Sequence, residues 1–350
     1  MPEIFFMGRV RNRFALIGLT LNEATTSSSN LIPSVCFAQE TLERTRKFYH
    51  LSTTVRVAHV EKTQMDLPQL GMTKRMPFWL ANRKGLGYPT CVMNTPPRIN
   101  VLGVGVHALT LTRAVIVLGE AIKRRTKGYV CVTGVHGVSE AQSDPEFRAI
   151  LNGAFLNTPD GMPMVWVGRW TGFSQVERVY GPDLLVEVCK ASETTGWRHF
   201  FYGGAPGTAE ALAATLQARF PHLQIVGTHT PPFRPLNMAE VKELKEIIAQ
   251  AQPDIMWIGL STPKQERFMA DMLPRLDVPI MVGIGAAFDL VSGKVRQSPR
   301  WIQRSGFEWL YRLIQEPRRL WKRYLKNNPL FVGRLFLQFT RLRHYCLDSK

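Results

Sequence analysis

Residues 198 to 230, RHFFYGGAPGTAEALAATLQARFPHLQIVGTHT, decide the fold. RHFFYGG (198–204) is a short apolar run closed by two glycines, 207–219 has helical character, and QIVGTHT (224–230) is a second apolar run. Strand, helix and strand in such a short span make the repeating unit of a parallel sheet. Working outward, INVLGVGV (99–106), YVCVTGV (129–135), AFLNT (154–158), DIMWIGL (254–260) and VPIMVGIG (278–285) repeat the strand signal. Most are apolar on both faces, as strands covered by helices on both sides must be. Helical stretches near 110–125, 138–151, 182–195, 239–251 and 263–273 separate most of them. The pattern predicts an α/β fold, a doubly wound Rossmann-like, mostly parallel sheet with right-handed crossovers. Ligands of such sheets sit beyond the carboxyl ends of the strands.

The charge is unevenly placed. Residues 97–293 are neutral, residues 1–96 carry +6 and residues 294–350 carry +11 of the formal +17. The last segment also interleaves Trp301, Phe307, Trp309, Tyr311, Trp321, Tyr324, Phe331, Phe336 and Phe339. Three regions follow: a poorly structured N-terminal extension (1–96), an α/β catalytic domain (97–293) and a basic amphipathic helical appendage (294–350) that docks on an anionic surface. The extension holds TTSSSN (25–30), shows no sustained period and lacks the features of a secretory signal. No apolar run approaches the ~18–20 residues that span a bilayer. Five cysteines without a CxxC pair suit reduced thiols in a cytosol, with Cys131 and Cys189 as buried small hydrophobes.

The segments that follow the strands are chemically unusual. Gly103-Val-Gly105-Val-His-Ala108 formally fits a dinucleotide fingerprint, but no acid follows at the next strand end to hold a ribose, and turn glycines explain it better. His136 follows the second strand, as a ligand contact or as a packing residue. Asp160 follows the third, before Gly161 and Pro163, as a catalytic acid or as a helix cap. Gly203 and Gly204 open a helix whose bare N–H groups and dipole suit a pyrophosphate. Lys264, Gln265, Glu266 and Arg267 crowd the next strand exit behind a Ser-Thr-Pro cap, and Gly283-Ile-Gly285 leads to Asp289. Their convergence at one sheet edge marks a site.

VTGVHGVSEAQSDPEFRAILNGAFLNTPDGMPMVW (132–166), ERVYGPDLL (177–185), FFYGGAPG (200–207), IGLSTPKQERFM (258–269), GIGAAFDLVSGKVRQSPRWIQ (283–303) and GFEWLYRLIQEPRRLWKRYL (306–325) together resemble the WecG/TagA/CpsF glycosyltransferases. The resemblance covers about residues 98–326 and not the first 95. It implies inverting transfer of an N-acetylmannosamine-type sugar from a UDP-sugar to a polyprenyl-diphosphate-linked acceptor, at the cytoplasmic face of a bacterial membrane, for cell-surface polysaccharide. It further implies Asp160 as general base, Arg178 as a substrate-orienting residue and Gln265 as a substrate contact. Gly203, Gly204 and Asp289 would lie in the nucleotide pocket, and Thr133 matches the family's threonine after the second strand, a substrate-binding candidate. Many relatives have Asn where this chain has Gly134, which leaves sugar specificity open.

The chemistry asks for the same groups. A single displacement at an anomeric carbon needs one carboxylate for the hydroxyl proton and positive groups for the departing diphosphate. No Asp-x-Asp and no histidine pair at ligand spacing supplies a metal site. The expectation is therefore metal-independent chemistry without a cofactor, the UDP-sugar being a substrate, with Arg304, Arg312, Arg318 or Arg319 holding the diphosphate. The implied partners are the UDP-sugar, the lipid-linked acceptor and an anionic membrane surface, with no nucleic acid; self-association as a homo-oligomer is compatible with the sequence. Two other classes stand beside this reading: a nucleic-acid-binding protein gripping phosphate with its tail, and a Rossmann oxidoreductase.

Overall fold

The computed structural model describes residues 95–347, so the extension expected over 1–96 lies outside the described residues except for its last two positions. The octad INVLGVGV is not one strand of the main sheet. It folds into a hairpin, β1 (Arg98–Val101) paired antiparallel with β2 (Val104–His107). Leu102 (φ 53°) and Gly103 (φ 82°) make the turn, and the Gly103 N–H donates to Asn100 Oδ1 at 2.9 Å. The glycines of the apparent dinucleotide fingerprint are thus hairpin glycines.

Six further strands form the main sheet: β3 (Gly128–Thr133), β4 (Leu156–Pro159), β5 (Arg198–Gly203), β6 (Gln224–His229), β7 (Ile255–Gly259) and β8 (Ile280–Gly283). They lie in the order β4-β3-β8-β7-β5-β6 and every pairing is parallel. Alternate side chains enter two cores. Tyr129, Cys131, Phe200, Tyr202, Met256, Ile258 and Met281 face one; Val130, Leu156, Phe201, Ile255, Trp257, Ile280 and Val282 face the other. Both faces being apolar is what made the strands legible as continuous runs.

In chain order the helices are α1 (Leu111–Lys123), α2 (Val135–Glu140), α3 (Pro145–Gly153), α4 (Met162–Trp170), α5 (Gly181–Thr195), α6 (Thr208–Arg219), α7 (Met238–Ala251), α8 (Lys264–Met272), α9 (Ala287–Val291), α10 (Arg300–Ser305), α11 (Glu308–Gln315) and α12 (Pro317–Phe339). Helices α1, α5, α6 and α9 bury their apolar stripes on the second core, while α2, α3, α4, α7, α8 and α12 cover the first. The helix expected over 138–151 is two helices. Asp144 accepts from the Phe147 N–H at 2.9 Å and Pro145 fills the first turn, so a new helix starts there.

The basic C-terminal segment is built into this body. Leu320, Asn327, Phe331 and Leu335 of α12 are buried, and Phe331 and Leu335 belong to the first core. Gln338 clasps the hairpin, donating to the Asn100 carbonyl and accepting from the Leu102 N–H, both at 2.9 Å. Asn100 Nδ2 donates in turn to the Tyr345 carbonyl at 2.5 Å. Phe331 is 3% exposed, so Phe331→Ala is expected to cost about 3–5 kcal/mol of stability by leaving a cavity. Leu330→Ala, at an exposed neighbour, is expected to stay within about 0.5 kcal/mol. Denaturant unfolding of the two variants checks this, and equal losses would show that α12 is not anchored by its buried face. No described helix is long and apolar enough to cross a membrane.

Candidate active site

The carboxyl ends of β3, β4, β5, β7 and β8 open into one cleft of about 1950 Å³. A single small ligand fills about 300–1,000 Å³, so the cleft has volume for more than one. Of the residues expected from the sequence, Thr133, His136, Asp160, Arg178, Gly204, Lys264, Gln265, Glu266, Asp289, Arg312 and Arg319 line the cleft. Gly203, Arg304 and Arg318 do not.

Asp160 directly follows β4. Its N–H donates to the Thr133 carbonyl at 3.0 Å, and Gly161 (φ 87°) turns the chain into α4. Gly161 is the cap of α4 and no side chain caps it, so the Asp160 carboxyl is not spent on a helix end. Its pKa is pushed up to about 6, first by loss of water around it. Arg178 and Arg312 oppose the shift, while Glu308 and Asp183 reinforce it. A carboxylate in this range is suited to take a proton near neutral pH. Gly134 lies against it: a Cβ there would meet the Asp160 carbonyl at 3.0 Å and its carboxylate at 3.5 Å.

Arg178 is held in place by the tail. It forms an ion pair with Glu308 of α11, donates to Gln303 Oε1 of α10 at 3.3 Å and lies 3.9 Å over the Tyr180 ring. Arg300 of α10 pairs with Asp183 of α5 at 2.9 Å, so α10 and α11 are fastened over the Asp160 side of the cleft. Sequence reasoning missed Glu308, although an acid inside so basic a segment was itself a signal.

At the exit of β7, Gln265 and Glu266 are buried at 3% and 1% exposure. Glu266 Oε1 accepts from Thr262 Oγ1 at 2.9 Å and from Gln265 Nε2 at 3.0 Å. Glu266 therefore sits under the floor and orients the neighbouring amide, with its pKa raised by desolvation. Thr133 Oγ1 and Gln265 Oε1 are buried without a hydrogen-bond partner. Lys264 is exposed, with its ammonium 4.3 Å from the centre of the Phe233 ring. The Ser-Thr-Pro cap expected before α8 is absent: Pro263 is the cap residue and no side chain bonds to the helix end.

The glycines after β5 serve the backbone first. Gly203 (φ 114°) approaches Gly259 so closely that a Cβ would fall 2.9 Å from its carbonyl, and the Gly204 N–H donates to Gly259 O at 2.9 Å. The Thr208 N–H bonds to Ala205 O at 2.9 Å. These two N–H groups are thus bonded within the protein, while Gly204, Ala205 and Pro206 of the same turn line the cleft. His136 joins α2 to α12 through Asn327, with 3.1 Å between Asn327 Nδ2 and His136 Nδ1, and its pKa is lowered, chiefly by desolvation and then by Arg323. Asp289 stands in the first turn of α9 at the cleft wall.

On the tail side, Arg312, Arg319 and Arg323 face the cleft. Arg312 is desolvated, yet Tyr324, Tyr180, Asp160 and Glu308 outweigh that and raise its pKa. Desolvation, with Arg319 and Arg312 nearby, lowers that of Arg323. Arg319 is exposed and paired with Glu316, so Arg312 and Arg323 are the two partly buried cations of this wall. Arg323 escaped the sequence reading because nothing local separates it from the other tail cations. Among the described residues no group of three or more His, Cys, Asp or Glu side chains is placed to hold a metal ion.

Residues 99–345 match the model of the glycosyl transferase WecG/TagA/CpsF family. The chain is 30% identical over 209 residues to an N-acetylglucosaminyldiphosphoundecaprenol N-acetyl-beta-D-mannosaminyltransferase of Bacillus spizizenii, covering 59% of this chain and 79% of that protein. It is 28% identical over 185 residues to the protein of the same name from Bacillus subtilis, covering 53% and 70%.

Proposed function

Because the chain belongs to the WecG/TagA/CpsF family of glycosyl transferases, we propose that it moves an N-acetylmannosamine-type sugar from a UDP-sugar to an N-acetylglucosaminyl-diphosphate-polyprenol acceptor, with inversion. The reading is supported above all by Asp160, a carboxylate raised to about 6 at a strand end, within electrostatic reach of Arg312. The acceptor hydroxyl oxygen attacks the anomeric carbon as its proton passes to Asp160. The bond from that carbon to the diphosphate oxygen breaks, and UDP leaves with the electron pair. Arg312 is the group best placed to take up the charge developing on the diphosphate. Arg178, pinned by Glu308 and Gln303, orients the substrates beside Asp160. Gln265, its amide fixed by Glu266, lines the cleft as a substrate contact and keeps a buried carbonyl oxygen without a protein partner. The mixed basic and aromatic surface of α11 and α12 supports peripheral attachment to the inner face of an anionic membrane.

The test is purified protein against a panel of UDP-sugars with a short-chain lipid-diphosphate-N-acetylglucosamine acceptor, following UDP release and product. Transfer from the N-acetylmannosamine donor is expected. UDP release without a disaccharide product, or transfer only from another sugar, would overturn the assignment of the substrates. Activity is further expected to survive EDTA, since arginines take the place of a metal at the diphosphate. Loss of activity in EDTA that magnesium or manganese restores would assign that charge to a metal ion instead.

A further inference from the structure

The cleft does not end at the arginines. It continues as a trough between α4 and α12, and the β1–β2 hairpin is the platform that sets the two helices apart. On one side Gly168 of α4 is pressed onto the hairpin, a Cβ there falling 2.6 Å from Ile99 Cδ1. On the other, Gln338 of α12 is hydrogen-bonded to Asn100 and Leu102. Phe331 and Leu335 are buried beneath. Trp166 and Trp170 rise from α4 one helical turn apart, and Val332, Phe336 and Phe339 from α12. Trp170 and Phe339 meet edge to face at 5.9 Å and close the far end. At the near end Gly306 lies so close to the Trp166 indole that a Cβ would come within 2.5 Å of it.

This trough is apolar and open, with Trp170 at 68% exposure, Val332 at 65% and Phe336 at 63%. A chance surface would scatter such side chains. Here their order follows a gradient along α12, whose first half (PRRLWKRYLKNN) is cationic and whose second half (PLFVGRLFLQF) holds one charge. From the reacting centre outward, the wall therefore reads Asp160, then Arg319 and Arg323, then hydrocarbon. An acceptor made of sugar, diphosphate and polyprenol has the same order.

We infer that the trough between α4 and α12 binds the isoprene units next to the diphosphate of the lipid acceptor, lifting that segment out of the bilayer and into the protein. α4 is nine residues long, about 13 Å, so the trough holds only the first few units and the remaining chain stays in the membrane. The inference rests on the reading of the cleft as a polyprenyl-diphosphate acceptor site, and it adds a hydrocarbon subsite to it. Specificity would then depend on the lipid as well as on the sugar, because buried apolar area adds to the charge-assisted contacts at the diphosphate.

The test is calorimetric binding to the full chain in vesicle-free buffer, comparing farnesyl diphosphate, below its aggregation concentration, with inorganic pyrophosphate. Farnesyl diphosphate is expected to bind about tenfold tighter or better, since its apolar groups leave water. In the double variant Val332→Asn, Phe336→Asn, both exposed positions whose change leaves the core intact, that ratio is expected to fall towards one. Arg323→Gln is expected to weaken both ligands together. Equal affinity of the wild type for the two ligands would overturn the inference. So would a double variant that keeps the preference while losing affinity for anionic vesicles, because the patch would then be a membrane anchor only. The catalytic reading fails separately: should farnesyl diphosphate be preferred while no UDP-sugar is transferred to any lipid-diphosphate acceptor, the subsite stands and the assigned reaction does not.

Discussion

Asp160→Asn is expected to lower transfer by about 10² to 10⁴, the usual contribution of a general base, while UDP-sugar binding stays nearly intact. The amide keeps the shape and the fit beneath Gly134 but cannot accept a proton. The pH profile gives a second readout. Asp160 works as the carboxylate, and its pKa is raised to about 6. Wild-type kcat/KM should therefore fall as pH drops through about 6, and the residual rate of the variant should lack that limb. Linkage gives a third. A carboxyl whose folded pKa lies above its unfolded value favours the folded state at low pH and loses that contribution as pH rises through about 6. Asn carries no such burden, so the variant should melt no lower than wild type at neutral pH, the difference vanishing in acid. An inactive variant that melts no lower separates lost chemistry from lost folding. Retention of more than about a tenth of the activity would remove Asp160 from the role of base.

Much of this could be read from the chain. Five of the six parallel strands were visible because burial on both faces forces continuous apolar runs, the edge strand β6 being only partly buried, and the site segments were visible because a parallel sheet places its ligands at strand ends. The hairpin was not. Its octad is as apolar as a central strand, and the reversal depends on the backbone at Leu102 and Gly103, which composition does not reveal. The tail was legible as amphipathic helix, but not which of its faces is buried. Its charge says surface, and only packing shows that Phe331 and Leu335 are core while Val332 and Phe336 on the adjacent face are open. Within the site, Asp160 and Gln265 announced themselves by position. Glu308 showed only as an acid in a basic segment and Arg323 not at all, since each acts through a neighbour more than 100 residues away: Glu308 with Arg178, Arg323 beside His136. The glycines after β5 were legible as a turn, but not the reason for the first of them, which is the close approach of Gly203 to Gly259.

Arg312→Gln is expected to lower kcat by about 10² to 10³, the size seen when one donor to a developing negative charge is removed. Arg304 and Arg318 belong to the same basic segment, but neither lines the cleft and both are exposed. Arg312 lines it and is coupled to Asp160 and to Tyr180. If the segment acted only by drawing the protein to an anionic surface, its charges would be interchangeable, and any one loss would be small and screened by salt. If Arg312 instead meets the departing diphosphate, its loss should be large, little changed by salt and still present with a water-soluble acceptor. Arg304→Gln and Arg318→Gln should stay within a few-fold of wild type with that acceptor. The direction of one further change is fixed by sign. Arg312 holds the pKa of Asp160 down, so its removal should shift the acid limb of the rate profile above about 6. A variant as slow as expected but with an unshifted limb would place the arginine away from the base, and equal losses from Arg312→Gln and Arg318→Gln would return the whole segment to the role of a charged surface.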